Sequence, residues 1–277
     1  MKAEILTICV PNNGCDQNCP FCISKMTPEV EPNFGRMYRN IEKVKTLARA
    51  AHVSHVLFTS KGEPTMNEDL YRLSQEFEDF PMELQTNGYL FQQPKGRNNI
   101  EKLYAFGFDT IAVSINSLKQ LESFADSFDE CYKKSLHIRL TINLLPHLVH
   151  EVLVDGIAGI ISYAHKHNIS QVTFRKIMVA ENCTNRTAQY IHEKVYPFYA
   201  TSQYQEFQHQ YQSIIEQARL VRTLAWDNAI YDYKGIGFLH SDYCIQERSN
   251  NEDVRSLIFN QDGHVYTSWN SKATILF

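Results

Sequence analysis

The sequence predicts an α/β protein: a partial (β/α)6 barrel of the TIM type with a C-terminal antiparallel α+β extension. Three observations lead there. Strand-like and helix-like hydrophobic patterns alternate through the first two thirds of the chain. The strand-like runs end in turn formers or polar residues. From about Thr187 the pattern changes to a polar, Gln- and Tyr-rich helical stretch, followed by short strands and a hairpin signal. Strands that alternate with helices must be joined by crossovers, and right-handed crossovers build a parallel sheet with helices outside it.

Residues 5–10 are a short apolar run closed by Pro11-Asn12-Asn13-Gly14, which puts Cys15 on a loop directly after a strand. Ile41, Val44, Leu47, Ala48 and Ala51 recur at helical spacing, and residues 55–59 then read as a buried strand of apolar and β-branched residues. The alternation continues with a helix near 68–77, a strand at 82–86, a helix near 100–106 and a strand at 110–115. A helix around 118–128, a strand at 137–144, a helix striped by Leu153, Ile157, Ile160, Ile161 and Ala164, and a strand at 171–177 complete six strands. Farther on, residues 229–233 and 257–260 read as strands, the latter joined to 264–268 through Gln261-Asp262-Gly263 as a hairpin. The expected organisation is a barrel over residues 1–185 and an extension over 186–277 that packs on or caps it. No repeat, low-complexity tract or Pro- or Gly-rich linker marks the boundary.

At 277 residues the chain suits one main core with an appended segment. Apolar residues at 43% and charged residues at 21% suggest neither disorder nor a membrane protein. A net charge of −4 with scattered Lys and Arg lacks the basic stripe of a duplex-binding protein. The opening apolar run is too short for a signal-peptide core or a membrane span, so the expected location is the cytoplasm. Seven cysteines, an odd number with no export signal, point to metal or redox chemistry rather than disulfides.

Three of them fall in Cys15-Asp16-Gln17-Asn18-Cys19-Pro20-Phe21-Cys22. Thiolates bind soft iron or zinc, and close spacing on a loop lets them converge on one centre at little folding cost. A structural zinc site wants four closed ligands, and no Cys or His follows Cys22 at short spacing. A three-thiol set with an open position suits an iron cluster that binds a substrate or cosubstrate; ordinary core cysteines explain such bunching poorly. The second constellation is Ser60-Lys61-Gly62-Glu63-Pro64, after the second strand. Gly permits close backbone approach, Glu offers a carboxylate to an ammonium and Pro stops the ladder, a set that can hold an amino-acid moiety or form a plain turn.

Barrel enzymes assemble their sites at the carboxyl ends of strands, where Thr86-Asn87-Gly88, Ser114, Asn116, Asn143, Arg175 and Met178 stand. Each has a bland reading as well: Asn87-Gly88 as a turn, Met178 as core filler, Arg175 as partner of a surface carboxylate. Cys9 reads as core, and Cys131, Cys183 and Cys244 lie too far apart to suggest a second cluster. The aromatics Tyr231, Tyr233, Phe238, Tyr243, Tyr266 and Trp269 read as core, or as lining of a pocket at the barrel mouth.

The Cys-x3-Cys-x2-Cys spacing, with Phe21 just before the last cysteine, resembles the signature of the radical S-adenosylmethionine (SAM) superfamily. Gly62-Glu63-Pro64 is similar to that family's Gly-Gly-Glu-Pro motif, with Lys61 in place of the first Gly. The resemblance implies a [4Fe–4S] cluster on Cys15, Cys19 and Cys22, whose open iron chelates SAM. Reductive cleavage of SAM then yields a 5′-deoxyadenosyl radical that takes a hydrogen atom from substrate. It further implies that Gly62 and Glu63 hold the amino end of SAM. Similarity to the molybdenum-cofactor-synthesis type implies Ser114 and Asn116 at the ribose or carboxylate, Met178 at adenine, and Thr86 or Asn87 facing SAM or substrate. Phe21, Asn143 and Arg175 complete the implied cofactor-binding set. The expected substrate is a small polar metabolite or nucleotide-like molecule, with a peptide or protein as alternative and a zinc-binding interaction module as the reading from another class. A reducing partner such as flavodoxin or ferredoxin is implied, with no membrane and no duplex nucleic acid.

Overall fold

The computed structural model describes residues 1–93, 96–223, 229–241 and 253–277. Its strands are β1 (Ala3–Val10), β2 (His55–Ser60), β3 (Met82–Thr86), β4 (Thr110–Ile115), β5 (His137–Asn143), β6 (Gln171–Arg175), β7 (Arg219–Thr223), β8 (Ala229–Tyr233), β9 (Ile236–Ser241), β10 (Val254–Phe259) and β11 (Val265–Tyr266). The helices are α1 (Phe34–Ala50), α2 (Asp69–Glu76), α3 (Tyr89–Gln92), α4 (Gly96–Ala105), α5 (Leu118–Ser123), α6 (Ala125–Lys133), α7 (Pro146–Lys166), α8 (Arg186–Tyr190) and α9 (Ser202–Ile215). The six strands expected from the hydrophobic pattern are β1 to β6, and β3 and β4 agree with it residue for residue. The single helix expected at 118–128 is two, α5 and α6, meeting at Phe124. Among the described residues no helix is long and apolar enough to cross a membrane.

The strands form one sheet in the order β11-β10-β1-β2-β3-β4-β5-β6-β9-β8-β7. Every neighbouring pair from β10 through β9 is parallel, and antiparallel hairpin partners flank the two edges. The fold is thus the α/β partial barrel the pattern predicts, with one addition. The antiparallel pairs expected of the extension are present, yet β9 and β10 also join the two barrel edges in parallel, β9 beside β6 and β10 beside β1. Local signals could not show this. A hairpin turn such as Lys234-Gly235 announces its antiparallel partner next door, whereas parallel pairing to a distant strand leaves no mark in the adjacent residues. Gly263 in the β10–β11 turn has φ +78, and a Cβ there would lie 2.6 Å from the Met37 backbone nitrogen on α1. Only glycine combines that backbone with that approach.

Side-chain alternation gives the sheet two unlike faces. Leu6, Ile8 and Val10 of β1, Val56 and Phe58 of β2, Val113 of β4, Leu140 and Ile142 of β5, and Val172 and Phe174 of β6 are buried in one continuous core with Met37, Ile41, Val44 and Ala48 of α1 and the other helices. Each large apolar side chain buried this way contributes about 1.5–3 kcal/mol. Phe238, a candidate for pocket lining, belongs to this helix-side core, against Phe174 and Tyr211; Tyr243 lies outside the described residues. The alternate positions are different in kind: Thr7, Cys9, Leu57, Glu83, Ala112, Ser114, Arg139, Thr141, Asn143, Thr173 and Arg175. Their apolar members Cys9, Leu57 and Ala112 are buried but stand apart from the helix-side core. The inside of the barrel is therefore mainly polar.

Its centre is an ion pair. Glu83 on β3, 5% exposed, accepts from the Arg139 guanidinium on β5. The reach crosses β4, where small Ala112 leaves room. Burial pushes the Glu83 carboxyl up, and the charges of Arg139 and then Arg175 pull it back. Removing one partner of such a pair leaves an uncompensated buried charge. Arg139→Met should therefore destabilise the fold by about 3–5 kcal/mol, whereas Glu83→Met with Arg139→Met together should cost far less. Urea denaturation of the three proteins checks this, and a loss under about 1 kcal/mol in the single variant would mean that the pair is solvated.

Candidate active site at the barrel mouth

Because neighbouring strands are parallel, the carboxyl ends of β1 to β6 share one rim, and the loop after β1 lies across it with all three clustered cysteines. The loop has no regular structure of its own, so its shape comes from hydrogen bonds to surrounding elements. On its leading side, the Asn13 amide donates to the Met66 carbonyl at 2.7 Å and the Asn67 amide to the Pro11 carbonyl at 2.7 Å. The Gly14 N–H donates to Asn12 Oδ1 at 2.9 Å, and the Gly14 carbonyl accepts the Glu63 N–H at 2.9 Å. A Cβ on Gly62 would overlap the Gly14 carbonyl oxygen and Asn12 Oδ1. Gly62 is thus required by the fit of the second motif beneath the cysteine loop.

On the trailing side, Lys61 Nζ donates to Thr27 Oγ1 at 2.6 Å and to the Pro28 carbonyl at 2.7 Å. The residue that departs from the family motif thereby fastens the chain just beyond Cys22. Gln261, in the turn between β10 and β11, clasps both sides. Its Oε1 accepts the Asn12 N–H at 2.9 Å, its Nε2 donates to the Val30 carbonyl at 2.5 Å, and its carbonyl accepts the Asn33 N–H at 2.8 Å. Gln261→Ala removes the two side-chain bonds, each worth about 1 kcal/mol net. Iron loss to a chelator from the reconstituted protein should accelerate roughly tenfold or more, with the melting temperature little changed. An unchanged rate would show that the loop keeps its shape without the clasp.

Glu63 is the hub of the rim. At 2% exposed, its carboxylate accepts from the Thr65 N–H at 3.1 Å, Thr65 Oγ1 at 2.6 Å, Thr86 Oγ1 at 2.7 Å and the Asn87 N–H at 2.8 Å. Burial raises its pKa, and these four donors oppose the shift. The carboxylate ties the end of β2 to the end of β3. Asn87 then reaches the cysteine loop, its Nδ2 lying 2.7 Å from Asp16 Oδ1 and 3.6 Å from Cys15 Sγ. Farther around the rim, Asn116 Nδ2 is 3.1 Å from Gln17 Oε1 and 3.9 Å from Cys19 Sγ. Asn116 Oδ1 accepts from the Asn143 amide at 3.0 Å. Gln120 bridges the two asparagines, donating to the Asn87 carbonyl at 3.0 Å and accepting the Asn116 N–H at 2.9 Å.

Of the residues singled out in the sequence, Cys15, Cys19, Gly62, Glu63, Thr86, Asn87, Asn116 and Asn143 are drawn together by these contacts. Ser114 is on the inner face, beside Thr141 in register. Arg175 pairs in register with Asn143. Phe21 packs against the core and is not part of the polar net. Met178 is half-buried after β6, on a stretch whose Ile177 and Val179 N–H groups donate to the Tyr199 and Tyr196 hydroxyls, both at 2.9 Å. Sequence reasoning gave no site role to Gln17, Gln120 or Gln261. The first lies inside the cysteine motif and was open to notice, but nothing local marks the others.

Burial, and then the charges of Asp16, Glu63 and Cys22, push the Cys15 thiol up despite a hydrogen bond from the Gln17 N–H. Burial, followed by Cys22 and Cys15, does the same to Cys19. Cys15 and Cys19 thus feel the charge of the neighbouring thiols, and a cationic centre there would reverse the cost by holding them as thiolates. Among the described residues no three Cys, His, Asp or Glu side chains are gathered as one metal ion would need. By donor chemistry, three thiols on one loop fit an iron–sulfur cluster. By contrast Cys9 is fully buried with its thiol pushed up to about 11, and Cys131 likewise to about 12, both by burial, so neither is poised to ligate. Cys244 lies outside the described residues.

No curated protein matches the chain in sequence. In fold it is similar to SuiB of Streptococcus suis bound to S-adenosylmethionine, with a TM-score of 0.62 at 14% identity over 96% of this chain and 60% of that one. SuiB bound to its precursor peptide SuiA gives a TM-score of 0.59 at 14% identity over 96% of this chain and 59% of that one. The chain therefore spans about three fifths of the length of those SuiB chains. The radical SAM superfamily model matches residues 9–141, a span that opens in β1, takes in the cysteine loop and the Gly-Glu-Pro segment, and closes within β5. That span is just under half of the chain, and it carries the likeness to the radical SAM superfamily, whose members act with a [4Fe–4S] cluster and S-adenosylmethionine.

Proposed function

We propose that the protein cleaves SAM at a [4Fe–4S] cluster held by Cys15, Cys19 and Cys22 and removes hydrogen from a small polar metabolite or nucleotide-like substrate inside the barrel. The observation that carries this reading is the inner face, where Thr7, Glu83, Arg139, Thr141, Thr173 and Arg175 lie beneath the cysteine loop. When bound, the reduced cluster and SAM supply the 5′-deoxyadenosyl radical. The residues around them position and enclose. Cys15, Cys19 and Cys22 would hold the cluster through their thiolates. Gly62 and Glu63, with Thr86 and Asn87 fixed by the same carboxylate, form the wall at the methionine end of SAM. Asn116, steadied by Asn143, and Ser114 face its middle, Met178 its adenine, and Phe21 closes the loop onto the core.

In this reading a cytoplasmic flavodoxin or ferredoxin supplies the electron. Residues 1–185 form the catalytic unit, and residues 186–277 complete and cover it. A second reading, peptide modification, draws support from the fold likeness to SuiB, which has been seen with a precursor peptide. The test is anaerobic reconstitution with iron and sulfide, dithionite reduction and assay for 5′-deoxyadenosine, with a small-molecule extract or a peptide pool added in parallel. About four irons per chain with 5′-deoxyadenosine stimulated by the extract is the expected result. Stimulation only by peptides would favour the second reading. Zinc at about one per chain without SAM cleavage would overturn both.

A further inference from the structure

We propose that Arg175 recognises a carboxylate group on the substrate, an inference that rests on the barrel interior being the substrate chamber. Arg175 ends β6 on the inner face, in register with Asn143 on one side and Ser241 on the other. Its charge acts on both members of the Glu83–Arg139 pair, lowering the Glu83 pKa and disfavouring the charged form of Arg139. Arg175 alternates with Val172 and Phe174 of the helix-side core, so it looks into the barrel. The bland reading of Arg175, as partner of a surface carboxylate, finds no support among the described residues: its side chain makes no hydrogen bond or ion pair with any of them, and Glu83, the carboxylate its charge acts on, is already taken by Arg139.

The charge balance then points to an anion. Among the described residues Glu83 and Arg139 cancel, the Glu63 carboxylate at the rim is taken up by its four donors, and Arg175 is left over. Of the other groups that face this one, Ser114, Thr141, Asn143, Thr173 and Ser241 are uncharged. At the far end of the strands, His55 is held towards its neutral form by burial and then by Arg139 and Arg222. One surplus cation is matched by one negative charge. The planar fork of a guanidinium pairs with a carboxylate through two parallel N–H···O bonds, a geometry that a neutral amide cannot reproduce at full strength. A phosphate monoester, at nearly two charges, would exceed the surplus. Position agrees with this use. Asn143 links the register neighbour of Arg175 to Asn116, and Asn116 reaches Cys19. A substrate held by its carboxylate at Arg175 would thus lie one residue away from the polar net around the cysteine loop.

The test is calorimetric titration of reconstituted protein with propionate and phenylpropionate, their amides, and inorganic phosphate, for the natural chain, Arg175→Gln and Arg175→Lys. We expect the acids to bind and the amides not. Affinity should fall roughly tenfold or more in Arg175→Gln and recover in part in Arg175→Lys. Equal binding of acids to Arg175→Gln, binding of amides as tight as acids, preference for phosphate, or no acid binding by the natural chain would overturn the proposal. Should Arg175→Gln fail to fold by circular dichroism, the natural chain against acids and amides and the lysine variant still decide it. Iron content and 5′-deoxyadenosine measured on the same natural-chain samples separate the two ideas. A natural chain that cleaves SAM but ignores acids rejects only the carboxylate site. A natural chain that binds acids but holds no cluster rejects the functional reading instead.

Discussion

Cys19→Ala should abolish 5′-deoxyadenosine formation and drop reconstituted iron from about four per chain towards zero, with an unchanged far-ultraviolet circular dichroism spectrum. The reasoning is that two thiolates cannot hold three corners of a cubane cluster, and no described cysteine can substitute. Cys9 and Cys131 are sealed in the fold with raised thiol pKa values. The fold should survive because Cys19 is on a loop that contributes little to the apolar core. Cys183→Ala is the matched control and should retain iron, since Cys183 stands outside the Cys-x3-Cys-x2-Cys triplet and packs against the core. Anaerobic reconstitution followed by iron, sulfide and 5′-deoxyadenosine assays decides the matter, and full cleavage by the Cys19 variant would remove Cys19 from the ligand set.

Gly62→Ala is the second large effect. The added methyl would overlap a backbone carbonyl, that of Gly14, together with Asn12 Oδ1. Backbone cannot swing aside as a long side chain can. The loop must therefore lift, breaking the bond from the Glu63 N–H to the Gly14 carbonyl and spreading the thiols that follow. A cost near the upper end of overpacking, about 3 kcal/mol, is expected in urea denaturation, with most of the iron lost. Normal stability and full iron would mean that the loop has a second position open to it.

How much of this could be read from residues alone differs from element to element. β3 and β4 were legible to the residue because each is short and closed off by turn formers or polar residues, Pro81 and Asn87-Gly88 around β3, Asp109 and Asn116-Ser117 around β4. The cysteine triplet was legible because thiols bunched on a loop have few other uses. The strand-end asparagines were legible as positions, but their partners were not. That Asn87 and Asn116 reach different cysteines depends on barrel curvature, which no local pattern encodes. Lys61 could be seen only as a departure from a motif, because its acceptors Thr27 and the Pro28 carbonyl lie on another stretch of chain. Glu83 and Arg139 were visible as charges inside otherwise buried strands, a signal of a lumen-facing pair that passes unnoticed when each strand is read by itself. The parallel docking of β9 and β10 was the least legible, since pairing across so many residues leaves only the nearby hairpins to be read.

The clasp made by Gln261 has a consequence in time. Asn12 and Gln261 stand 249 residues apart. At about 5–20 residues per second, a ribosome delivers the second roughly ten to fifty seconds after the first. For that interval the nascent chain carries Cys15, Cys19 and Cys22 with one side of their loop unfastened. A cluster loaded before Gln261 is made should therefore be held less firmly than one loaded afterwards. Cells short of reductant, or translating slowly, should accumulate protein whose loop oxidised before the Gln261 fastening arrived.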